Sequence, residues 1–169
     1  MKKFLAIILA LVLVCALAVA VSANGASSPV QEGTTGEATA EEATDVVVES
    51  ALEAEGEAAE HIEIATKELE ENADDLSALC ADLAEFGDLT VLDIAYVSWG
   101  DETAAVIKEK GFVEVKFDTK LAADDVLHVI FNEEANGEWV SLDDDTTVED
   151  GSAIVKLSAQ GVIAFLIED

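Results

Sequence analysis

The chain has 169 residues, with 37 Asp or Glu against 8 Lys and no Arg, for a formal net charge of −29. So acidic a surface repels phosphate backbones and anionic lipid, which sets aside nucleic-acid binding and peripheral membrane binding. Without arginine there is also no planar fork to clamp a carboxylate or phosphate substrate, and the length suits one domain with a tail.

The chain opens on Met1-Lys2-Lys3, runs uncharged from Phe4 to Val21 and reaches the small-residue motif Val21-Ser22-Ala23. A positive end, an apolar stretch and a small cleavage motif in that order predict a signal peptide over residues 1–23 and an extracellular product. An uncleaved membrane anchor is the alternative, because the apolar run just spans a hydrocarbon core of about 30 Å. No other membrane segment is expected. Cys15 follows Val14 inside the run, which does not suit lipoprotein processing. Cleavage leaves Cys80 as the remaining thiol, with no intramolecular disulfide and no thiolate zinc site. Its neighbours Leu79, Ala81 and Leu83 predict a buried hydrophobe rather than a nucleophile.

Residues 24–44 hold Gly, Ser, Thr, Glu and Ala, the sole proline Pro29 and one large aliphatic residue, Val30. Such a stretch buries too little to offset its ordering entropy and reads as a disordered acidic linker. Over residues 45–87 the apolar positions Val48, Leu52, Ala59, Ile62, Leu69, Leu76, Cys80 and Leu83 recur at helical steps, predicting a helical segment. The seam is thin at Ala59 and broken by Gly56, so a pair of helices packed on the rest of the chain is expected rather than a coiled coil. Asn72 to Asp75 reads as a break, and a second helix is expected from Asp74 to Phe86, stopped at Gly87.

From residue 88 to 169 the helical period gives way to runs of Val, Ile, Phe and other strand formers between turn signals. The runs are Thr90 to Trp99, Phe112 to Phe117, Val126 to Asn132, Glu138 to Leu142, Ala153 to Leu157 and Val162 to Ile167. Asn136-Gly137 and Asp150-Gly151 mark hairpins, and Ser158 to Gly161 turns into the last strand. The result is an α+β chain: a helical segment followed by an antiparallel sandwich or barrel. Val126 to Phe131 and Val162 to Ile167 are apolar on both faces apart from His128. They are expected to be central, or covered on the outer face by the helices.

The stretch Leu127-His128-Val129-Ile130-Phe131, the hairpin Asn136-Gly137-Glu138-Trp139 and the terminal run Leu157 to Phe165 together resemble small secreted and surface β-sandwich domains of gut Clostridia. The resemblance covers roughly Asn72 to Asp169. It implies an immunoglobulin-like sandwich behind a signal peptide and an acidic linker, with no enzymatic residues to carry over. The chain departs from that pattern at Ala159-Gln160-Gly161, where the others carry proline and phenylalanine. It also lacks the terminal sorting motif, so wall attachment there is not expected.

Solvated acidic turns are the favoured reading of the acid clusters, and calcium is the best of the metal options, at Asp143, Asp144, Asp145, Glu149 and Asp150, or at Asp118 with Asp124 and Asp125, although neither group has EF-hand spacing. No other cofactor is expected. Flat aromatic faces are the usual sugar platforms, and Trp99 with Tyr96 are the candidates, but aromatic residues are so few that core packing is the favoured reading of both Trp99 and Trp139. His61 and His128 read as structural, and the abundance of acids makes any carboxylate pair uninformative. The expectation is a secreted, non-catalytic interaction protein whose sandwich presents loops to an extracellular partner, protein or glycan. A carbohydrate- or calcium-dependent binding module is the alternative and a small hydrolase the third reading. Oligomeric state is not legible.

Overall fold

The structure is a computed structural model that describes residues 36–38, 43–119, 126–133, 137–149 and 151–168. The leader read over residues 1–23 lies outside the described residues, as does most of the linker read over 24–44.

The described chain is α+β, with two antiparallel sheets and two α-helices among the described residues. The strands are β1 (Gly36–Ala38), β2 (Val46–Ser50), β3 (Leu89–Trp99), β4 (Val113–Asp118), β5 (Leu127–Glu133), β6 (Trp139–Ser141), β7 (Thr146–Glu149), β8 (Ser152–Leu157) and β9 (Gly161–Glu168). The helices are α1 (Gly56–Glu71) and α2 (Asp101–Lys110). One sheet has the order β1-β4-β8-β7 and the other β2-β3-β9-β5-β6.

Period-two burial explains how the sheets face each other. Val113, Val115 and Phe117 on β4 and Ala153, Val155 and Leu157 on β8 meet Ala95, Val97, Val129, Phe131, Ile163 and Phe165 of the larger sheet in one apolar core. The alternate residues Ile94, Tyr96, Ile130, Val162, Ala164 and Leu166 point to the opposite face of that sheet. There they meet Ala58, Ile62, Ala65 and Leu69 of α1, together with Leu76, Cys80 and Leu83. The larger sheet is thus covered on both faces, and β9, buried from Gly161 to Leu166, lies at its centre between β3 and β5. The two-sided hydrophobicity of β5 and β9 has this cause, since each full burial of such a side chain contributes about 1.5–3 kcal/mol. Gly161 is held by close approach: a Cβ there would overlap the carbonyl oxygen of Asn132 and crowd the Phe131 ring.

Several local expectations are corrected. Val46–Ser50 is a strand, antiparallel to β3 with Val48 opposite Val97, and not the start of the helical stretch. Three consecutive valines are stiff at χ1 and favour extended backbone, and a sheet edge is there to receive them. Gly56, read as an interruption, is instead the first residue of α1. The buried stripe of α1 runs through Ala58 and Ala65 rather than Ala59, two small residues that let the helix lie close to the sheet.

The second helix does not form. Leu76–Ala78 and Ala81–Glu85 are separate 3-10 turns with Cys80 extended between them, at φ −132°. Short turns suffice to set Leu76, Cys80 and Leu83 onto the sheet. The side chains here also compete for local bonds, the Ser77 hydroxyl donating to Asp75 at 2.5 Å.

Helix α2 and strand β7 are additions to the expected elements, while β1, antiparallel to β4, and the buried Ala43 correct the reading of 24–44 as a disordered linker at those residues. The buried face of α2 is thin, comprising Thr103 and Val106, so hydrophobic periodicity is nearly silent. Its signals are electrostatic: Asp101 and Glu102 in the first turn and Lys108 and Lys110 in the last complement the helix dipole. Gly111, at φ 91°, ends it in the left-handed conformation that glycine adopts without a Cβ clash. The N-terminal cap comes from far away in sequence. Asp45 accepts the backbone N–H of Glu102 and of Thr103 at 3.0 Å each and the Thr103 hydroxyl at 2.5 Å. That hydroxyl bond is the main reason the Asp45 carboxyl titrates below its ordinary value of 3.8; partial burial opposes the shift and the two backbone N–H groups reinforce it.

Candidate functional site

Strand β6 is an edge strand of the larger sheet, paired with β5. Val140 is the register partner of Phe131 and so shares its face of the sheet, the one directed at the inter-sheet core. Phe131 is covered by that core, whereas Val140 is 44% exposed. Beside Val140 lies a groove of about 370 Å³, floored by Phe131, Val140, Leu142, Leu157 and Ala159. Gly111 and Phe112, between α2 and β4, form one wall, and Phe112 is 38% exposed. Glu133, Glu138, Asp145, Lys156 and Ser158 complete the lining. The Lys156 ammonium sits 5.2 Å from the centroid of the Phe112 ring, a cation–π contact that holds the ring at the groove wall.

The candidate calcium ligands do not converge. Asp143 turns inward: its Oδ1 accepts the Val129 N–H at 2.7 Å and its Oδ2 lies 2.7 Å from His128 Nδ1. Asp144 and Asp145 are exposed, and Glu149 pairs with Lys116 at 3.4 Å. Asp150, Asp124 and Asp125 lie outside the described residues, and Asp118 ends β4. Among the described residues no three His, Cys, Asp or Glu side chains are grouped to hold a metal ion. The spacing of these acids raised calcium, yet the first of them serves to tie the 3-10 turn Asp143–Asp145 to β5.

The two residues weighed as a sugar platform are separated as well, and both pack inward. Tyr96 is 9% exposed and meets His61 of α1 edge to face at 5.1 Å, so it faces the helical layer. Trp99 is half-buried against the inter-sheet core, with its backbone N–H donating to Gln160 Oε1 at 3.0 Å. Trp139 is a core indole, as expected; its Nε1–H donates to Glu68 Oε2 at 2.9 Å and so fastens α1 to the hairpin.

His128 is 4% exposed, tilted against the Phe86 ring at 3.9 Å between centroids, with its Nε2 3.5 Å from Glu168 Oε1. Burial under a ring and between carboxylates gives the imidazole no open side for a substrate. Cys80 is buried too, and that burial pushes its thiol above the ordinary value, away from the reactive thiolate.

Sequence reasoning placed the groove residues Phe131, Val140 and Leu157 on strands but did not single them out. Alternation says which face Val140 takes; it carries no information on how far the opposing sheet extends. Comparison with protein-family models, with curated proteins and with solved structures finds no match.

Proposed function

We propose that this is a secreted, non-catalytic interaction protein that docks an extracellular partner in the groove beside β6. The carrying observation is a groove with apolar lining beside Val140 on the edge strand β6, next to an exposed Phe112. Exposed apolar surface in a concave, polar-rimmed setting is the usual mark of a binding face. Export is supported by the leader pattern from Met1 to Ala23, and the strongly negative charge suits a protein that stays dispersed outside the cell. The finer fold reading, an immunoglobulin-like sandwich akin to the surface domains of gut Clostridia, belongs to the same proposal. Its support is two antiparallel sheets across one core; the central place of β9, between β3 and β5, is a variation on the usual strand order.

The test compares Val140→Asp with Val47→Asp, since Val47 is similarly exposed on the β2 edge, away from the groove lining. Retention of each folded protein on intact cells of the producing culture is measured. Loss of retention with Val140→Asp alone supports groove docking. Equal retention of both variants and the parent counts against it.

A further inference from the structure

We infer that the groove takes a basic linear peptide, anchored by one aliphatic or aromatic side chain in the floor and held by carboxylates at the rim. This deepens the docking role proposed above and rests on it.

Size sets the first limit. A volume of about 370 Å³ lies at the small end of ligand sites, about 300–1,000 Å³, so it suits a short segment with one anchor. Floor chemistry sets the second. Phe131, Val140, Leu142, Leu157 and Ala159 offer aliphatic and aromatic contact without a tryptophan face, which favours a hydrophobic side chain over a sugar ring.

Charge decides the rest. Among the described lining residues Glu133, Glu138 and Asp145 stand against a single ammonium, that of Lys156. That ammonium is already placed over the Phe112 ring and so is directed to the wall. An anionic partner would meet these carboxylates and the field of a chain with net charge −29, whereas a lysine- or arginine-rich segment is drawn in by both. Local complementarity and long-range attraction therefore have the same sign. The chain itself has 8 Lys and no Arg, so a second copy is a poor source of such a segment.

The experiment uses fluorescently labelled peptides of equal length that share a central leucine flanked by lysine, glutamine or glutamate. Binding is followed by anisotropy and by amide chemical shifts of the isotope-labelled protein. The lysine peptide is expected to bind and to shift the amides of Phe131, Val140 and Ser158. Its affinity should fall about tenfold or more with Glu133→Lys plus Asp145→Lys. The control pair, Glu63→Lys plus Glu70→Lys on exposed positions of α1, makes the same change in net charge and should cost far less. Equal losses from the two pairs would mean diffuse attraction and would overturn the inference. Groove shifts with the glutamine or glutamate peptide as strong as with lysine would overturn the assigned charge while leaving groove docking intact. Silence of the groove amides with all three peptides would sink the docking reading itself.

Discussion

The two faces of the five-stranded sheet are buried by different means. Toward the smaller sheet, contact is mainly apolar, from Val97 on β3 to Phe131 on β5, with the Phe117 and Phe165 rings meeting edge to face at 5.1 Å and the buried Ser50, opposite Ala95, a polar exception. Toward α1, apolar contact is interleaved with buried polar groups: Trp139 and Asn132 both donate to Glu68, and His128 lies by Asp143. Side chains interdigitating from two sheets set position by shape, over many contacts. A single helix covers less of a sheet and can slide along it, so directional bonds at its C-terminal half add what shape alone leaves open. The lesson is that one sheet can be fixed on one side by packing and on the other by a few named hydrogen bonds.

Truncations on the two faces test that contrast most strongly. Phe165→Ala is expected to destabilise the whole domain by about 3–5 kcal/mol, and Leu69→Ala by about 2–5 kcal/mol, both measured by urea unfolding. Hydrogen exchange should separate them. Leu69→Ala should loosen the amides of α1 while those of β8 and β9 stay protected; Phe165→Ala should lower protection in both sheets together. Uniform loss of protection in the Leu69 variant would erase the distinction between the faces.

A smaller effect is expected where the helical face relies on a bond. Trp139→Phe keeps most of the ring but removes the Nε1–H donor to Glu68, for an expected loss of about 1–3 kcal/mol. The same variant combined with Glu68→Ala should cost less than the sum of the two changes, because both remove the Trp139–Glu68 bond. Strict additivity would show that the indole matters for its volume alone.

The mildest test concerns Asp45, outside both faces. Its folded carboxyl titrates below 3.8, so the stabilisation it gives α2 is complete above that value and is lost as pH falls through the lower, folded value. Asp45→Asn should therefore be less stable than the parent near neutrality, with the gap closing in strong acid, as read from denaturation midpoints over a pH series. A gap constant over the whole pH range would remove the charge from the account.

Much of the strand content was legible because its signal is local. Alternation over Leu89–Trp99 and the two-sided runs in β5 and β9 state both extended backbone and which strands need cover on both faces. Gly137 and Gly151 mark the turns joining β5 to β6 and β7 to β8. Helix α2 was hidden because its buried face is thin and its cap, Asp45, is distant in sequence. The second expected helix was a false signal, since spacing at Leu76, Cys80 and Leu83 reports which residues must reach the sheet and not by which backbone path. The role of Asp143 was hidden for a related reason: composition groups it with its exposed neighbours, whereas hydrogen bonding to Val129 and His128 turns it inward.

By itself, the sequence determined the charge of the surface, the α+β class and the buried identity of β9, each a property of composition or of short-range period. Only tertiary structure decided where the smaller sheet stops. An edge is a relation between two sheets and is written in neither, so Val140 has the pattern of a core residue and the exposure of a surface one.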